Sequence, residues 1–242
     1  MDERELIEHY VQTLDHKTQQ NVTILDRDTL GQRYVFHMST DPKIKRFIPM
    51  VSRRTMHTEN RNVPRISVAP HLGGAILGYS AMDMDFFNLH QRDGFRGGWY
   101  LYAFEFTYGL APKKKVLPDS GLTDELWLVP YSPEHWEYTP IKSGRFFMTE
   151  LKFVSQAKGE GHWASCELVV ENTLDEPIAL TPKESLAPGY SLCRLDGCPL
   201  GSGVKNITVL ENRSISKGEF SRLKRINASL LDHGVPLASL NW

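Results

Sequence analysis

An α+β fold, built mainly from short antiparallel strands, is the class this sequence predicts. Three observations lead there. Short apolar runs with period-two alternation recur along the chain, as in RYVFHMS (33–39) and WYLYAFEFTYG (99–109). Helix periodicity is confined to the two ends and to one central stretch. Long polar loops with Pro and Gly separate these segments, so strands and helices do not alternate regularly as a parallel sheet would require.

Composition sets the frame. The chain has 242 residues, 40% hydrophobic and 24% charged, enough to bury a core in one large domain or in a main domain with an appendage. Lys plus Arg number 28 against 29 for Asp plus Glu, so no global charge draws the chain to nucleic acid or membrane. No run approaches the roughly 18 apolar residues of a membrane span, and the acidic start MDERELIEHYVQTL does not read as a secretory signal. Cys166, Cys193 and Cys198 make no even disulfide framework and complete no zinc pattern. The expectations are a cytoplasmic setting, no membrane partner and no metal.

Residues 2–14 place Leu6, Ile7, Tyr10, Val11 and Leu14 on one helical face. NVTILD (21–26) and RYVFHMS (33–39) read as strands, TDPKIKRFIP (40–49) as a turn and VSRRTMHTENRNV (51–63) as a basic exposed loop. Ile66, Val68 and Ala69 form a short strand. From Pro70 the pattern turns helical through Leu72, Ala75, Ile76 and Tyr79. Gly73 and Gly74 weaken that helix by about 1 kcal/mol each, and would let a backbone or ligand come close. Residues 88–98 are a glycine-bearing loop, 99–109 the longest strand signal, and 110–124 another loop. ELWLVPY (125–131) and GRFFMTELKFV (144–154) are strands. A composition shift near 155 suggests two domains, 1–155 and 156–242, the second a smaller β-rich extension ending in a helix. In that extension 162–172 and 205–212 read as strands, 181–203 as turn-rich, and 216–233 as a helix with Phe220, Leu223, Ile226 and Leu230 on one face.

The sequence holds no P-loop, no dinucleotide glycine fingerprint, no HExxH and no nucleophile elbow. It does hold a spaced set: His37 ending a strand, Ser67 in a strand that runs straight into a helix, and Glu125 opening a later strand. In that order the set resembles the ADP-ribosyltransferase-like superfamily. FHMST (36–40) is similar to that family's His-Gly-Ser/Thr segment, PRISVAPHLGGAILGY (64–79) to its strand-to-helix segment, and TDELWLVPYSPEHWEYTPI (123–141) to its Glu-bearing segment. The resemblance covers about residues 30–155. It implies split antiparallel sheets around a central cleft.

The resemblance also implies NAD as substrate, with ADP-ribose passed to a macromolecular acceptor, protein or nucleic acid. Glu125 would hydrogen-bond the ribose 2′-hydroxyl, and its hold would strengthen as positive charge grows on the ring. His37 would orient the dinucleotide, Ser39 bear on the nicotinamide amide, and Ser67 support Glu125. Tyr79 or an aromatic of 99–108 would stack on nicotinamide, and Arg53, Arg54 and Arg65 would neutralise the pyrophosphate. Lys113, Lys114 and Lys115, in the loop before Glu125, offer a positive point to an acceptor. Two positions depart from the family: Met38 stands where Gly is usual after the His, and Ser67-Val68 where the His-type branch carries an aromatic. A side chain at 38 is expected to crowd the nicotinamide pocket. That favours, as alternatives, an inactive binder or inhibitor on the same fold, encoded by a bacteriophage or mobile element. Removal of an RNA 2′-phosphate, using Arg33, Arg53, Arg54 and Arg65, and a viral structural or assembly role are the remaining alternatives.

Overall fold

The structure is a computed structural model that describes residues 1–51, 60–82, 99–153, 164–196 and 208–232. It is α+β, with antiparallel sheets and few helices. Helix α1 (Glu3–Thr13) starts on a reciprocal cap: the Asp2 carboxylate accepts from the Glu5 N–H, and the Glu5 carboxylate accepts from the Asp2 N–H. Its predicted face, Leu6, Ile7, Tyr10, Val11 and Leu14, packs as expected. Short helices α2 (His16–Gln19) and α3 (Arg27–Leu30) flank strand β1 (Val22–Asp26). Strands β2 (Tyr34–Ser39) and β3 (Ile66–Val68) lie where expected, and helix α4 (Leu72–Met82) follows β3.

The strand expected over 99–109 is two strands in two sheets. β4 (Trp99–Glu105) pairs with β2, and β5 (Tyr108–Pro112) pairs with β1. Alternation runs through the corner at Phe106 and Thr107, which conceals it. The corner is held by backbone bonds, from Phe106 N–H to the Arg33 carbonyl and from Arg27 N–H to the Thr107 carbonyl. Helix α5 (Ser120–Thr123) leads into β6 (Leu126–Leu128), and a 3-10 turn at Pro133–His135 precedes β7 (Ile141–Phe153), the longest strand described. In the turn-rich stretch 181–203, the described part, 181–196, is largely strand. After β8 (Ala164–Asn172) come β9 (Ile178–Thr181), β10 (Glu184–Leu186), β11 (Gly189–Asp196) and β12 (Thr208–Ser214), then helix α6 (Lys217–Asp232). There the Gly and Pro mark tight connections between short strands.

One sheet has the order β1-β5-β6-β3, the other β12-β11-β8-β7-β4-β2, and β9 and β10 form a hairpin. The larger sheet joins strands from both sides of residue 155, since β7 pairs with β8 from Gly144↔Asn172 to Phe153↔Ala164, with one register shift between Met148 and Glu150. The C-terminal strands thus extend the sheet of the N-terminal part edge to edge. On one face of it, Phe36, Met38, Leu101, Leu168 and Val170 pack with Leu72, Ala75 and Ile76 of α4. On its other face, Val35, Tyr102 and Phe104 meet Ile66, Val68, Leu126 and Leu128 of the smaller sheet, and Val169 and Leu192 meet Phe220 and Leu223 of α6. The outer face of the smaller sheet carries α1. Among the described residues, no helix is long and apolar enough to cross a membrane, and no group of side chains could hold a metal ion.

Candidate functional site

The site lies where the two sheets part. β2 and β3 touch through one antiparallel bridge, Phe36↔Ala69, closed by two backbone bonds of 2.7 and 2.8 Å. The bridge is not continued to the next pair. Instead the ring of His37 spans the gap, its Nδ1 2.9 Å from the Ser67 carbonyl oxygen. A carbonyl only accepts, so Nδ1 carries the proton and Nε2 is left as an acceptor. Burial holds the His37 ring below the ordinary imidazole range, partly offset by that bond. Phe47 packs edge-on against the ring at a centroid distance of 5.0 Å, and Tyr102 is the β4 residue paired with His37. The Tyr102 hydroxyl donates to the Asp41 carbonyl at 2.6 Å, which fixes the turn that leaves β2.

Ser67 joins the other two predicted residues. Its carbonyl takes the His37 proton, and its hydroxyl hydrogen-bonds the Glu125 carboxyl. Trp127, paired with Ser67 across β3 and β6, donates its indole N–H to Glu125 Oε1 at 2.8 Å. Burial pushes the Glu125 carboxyl up to about 7. The Ser67 and Trp127 hydrogen bonds and the nearby Arg65 charge pull it down, and Asp119 adds to the rise. The carboxyl therefore changes charge near neutral pH while held by two donors. His37, Ser67 and Glu125, from three separated segments, are linked through β3, with His37 on the side facing the larger sheet and the Glu125 carboxyl beside Trp127 on the side that carries α1.

The remaining predicted residues fall differently. Ser39 is half-buried, and its hydroxyl accepts the Asp41 N–H at 3.1 Å. Arg65 is only 4% exposed and stacks over Trp127 at 4.5 Å, with Nη1 donating to the Asn60 and Val63 carbonyls. It is part of the frame behind Glu125, not an exposed loop cation. Arg53, Arg54 and the Tyr79 side chain lie outside the described residues. Met38 does not crowd the site. Its side chain points opposite to that of His37, is 4% exposed, and packs in the core beside α4. Lys113, Lys114 and Lys115 are exposed in the turn after β5. Cys193 is a buried thiol in β11, raised by burial to about 12.

Trp127 is the site residue that sequence reasoning left out. Strand period places it on the face of Glu125, two residues on, and Arg65 on the face of Ser67. Phe47 gave no such signal, because it reaches the site from a turn. A cavity of about 500 Å³ lies elsewhere, lined by Arg27, Arg33, Tyr34, Phe36 and Glu176, and includes none of His37, Ser67 or Glu125. Comparison of the chain with family models, curated proteins and solved structures finds no match.

Proposed function

We propose that this chain is an NAD-dependent ADP-ribosyltransferase that acts on a macromolecular acceptor, with His37, Ser67 and Glu125 as its central residues. One observation carries the reading: Ser67 connects the other two, through its carbonyl to His37 and through its hydroxyl to Glu125. In the reaction, the bond between nicotinamide and the ribose anomeric carbon breaks, and nicotinamide leaves with the bonding pair. The acceptor's lone pair then bonds that carbon, and the acceptor loses its proton. Positive charge builds on the ribose between the two events. A carboxylate held rigidly by Ser67 and Trp127 lowers that barrier without reorganising, by accepting the ribose 2′-hydroxyl more strongly as charge grows. The bare Nε2 of His37 accepts from a ribose hydroxyl on the adenosine side. Met38, whose side chain on sequence favours an inactive binder, is buried away from His37, so the transferase reading is preferred.

The test is nicotinamide release from NAD by the purified chain, with and without cell extract, beside Glu125→Gln. The wild type should release nicotinamide, and the variant should bind NAD yet turn over at least about a hundredfold more slowly, as expected for loss of one electrostatic group. Equal turnover by both proteins would remove Glu125 from the reaction. Absence of NAD binding would remove the reading as a whole.

A further inference from the structure

Glu125 follows the one non-glycine residue with positive φ among those described, Asp124 at +48°. Left-handed backbone is uncommon for a residue with a Cβ and persists only where the surroundings hold it. The surroundings here are specific. Asp124 closes α5 by donating its N–H to the Ser120 carbonyl at 3.1 Å. Its carboxylate oxygen Oδ2 lies 3.0 Å from Nε2 of His71. His71 is buried, directly ahead of α4, and its Nδ1 accepts the N–H of Gly74 at 2.8 Å. Because Nδ1 accepts, the ring proton is on Nε2 and is given to Asp124. His71 thus acts as an N-cap, a place usually taken by Ser, Thr, Asp or Asn. The His71 ring does both at once, capping α4 through Nδ1 and gripping the end of α5 through Nε2.

A second contact points the same way. A Cβ on Gly74 would run into the carbonyl oxygen of Thr123. The end of α5 is therefore packed against the backbone of α4 on one side of Asp124 and tied to His71 by its side chain. The next residue along is Glu125.

We propose that His71 and Asp124 are positioning residues that fix where the Glu125 carboxylate stands, by locking the left-handed turn from which β6 departs. The proposal deepens the transferase reading, since it says what aims the catalytic carboxylate, and its geometry stands apart from that reading. Asp124 suits a test because its side chain is 54% exposed, so changing it leaves the core intact. Asp124→Gly accepts the left-handed backbone without cost but removes the grip of His71. Asp124→Asn keeps both, because its amide oxygen still accepts from Nε2 and Asn tolerates this conformation.

The experiment follows the side-chain carboxyl carbon of Glu125 by NMR across pH in the wild type and both variants, with NAD turnover measured in parallel. The carboxyl is faced by Ser67, Trp127, Arg65 and Asp119, none of which changes. In Asp124→Gly the Glu125 midpoint should fall from about 7 toward the ordinary carboxylate range, as the group swings into solvent. Its kcat should drop about tenfold with KM little changed, the signature of lost alignment. Asp124→Asn should match the wild type in both readouts. An unmoved Glu125 midpoint in Asp124→Gly overturns the proposal. If the midpoint moves while even the wild type fails to turn NAD over, the positioning role stands and the transferase reading falls.

Discussion

Glu125 is pulled two ways. The proposed transferase chemistry asks for a charged carboxylate, while burial beside Trp127, on the face of the smaller sheet that carries α1, disfavours charge. Its folded midpoint near 7, against 4.5 for a free side chain, means that the folded chain binds a proton which the unfolded chain has lost at intermediate pH. Stability is therefore expected to fall as pH rises from about 4.5 to about 7, and to level off above that. The loss is at most about 3 kcal/mol, reduced by partial solvent contact. Glu125→Gln removes the titration. Urea unfolding at pH 5 and pH 8 should show the variant gaining on the wild type at pH 8, and the same pH dependence in both proteins would count against the buried carboxyl. Wild-type turnover should rise through pH 7 as the carboxylate forms. His37 is the opposite case, since burial shifts its ring below the ordinary imidazole range and favours the neutral form, which accepts on Nε2. At this scale the sequence revealed the chemistry-bearing residues but not their supports. His37, Ser67 and Glu125 stand out by order and type, whereas the roles of His71, Asp124 and Arg65 depend on contacts across more than one element.

At the scale of elements, the pair α4 and α5 decides how well the site is held. Two adjacent glycines in the α4 segment signal a close approach from the sequence itself, and Gly74 does admit the Thr123 carbonyl. The glycines do not say what comes close. α5 has four residues, too few for a helical period to show in the sequence. The same limit hides α2 and α3. The strand expected over 99–109 divides for another reason, because exposed Glu105 and Thr107 flank buried Phe106 and the alternation runs through the corner unbroken. The packing gives a prediction with a diagnostic sign. Replacing Gly by Ala inside a helix ordinarily stabilises by about 0.4–1 kcal/mol. At Gly74 the added methyl must displace the Thr123 backbone, which is expected to cost about 1–3 kcal/mol net. Thermal or chemical unfolding of Gly74→Ala measures it, with Gly78→Ala as control, since a Cβ there meets only ordinary contact at 3.8 Å. A stabilised Gly74→Ala would mean that the two elements are not locked together.

Across the whole molecule, the composition shift near residue 155 brings no change of core among the described residues. The sheet that carries His37 on its edge strand is continued by β8, β11 and β12. The core beneath Phe36 and Met38 is closed by Leu168, Val170, Leu180, Leu186 and Leu195 from the C-terminal part. A sequence pattern reports which face of a strand is apolar but not which sheet the strand joins, and this is why two domains are expected where the pairing is continuous. Burying each of those side chains fully is worth about 1.5–3 kcal/mol. Five of them together rival the whole net stability of a typical domain, about 5–15 kcal/mol. A fragment ending at residue 155 should therefore lack a cooperative unfolding transition and expose apolar surface to a dye such as ANS, although it contains every residue of the candidate site. Supplying residues 156–242 as a separate chain should restore the transition, because the missing strands add by edge pairing along β7. A fragment 1–155 that unfolds cooperatively alone would show that the shared sheet is not what supports β2, and the position of His37 would need another cause.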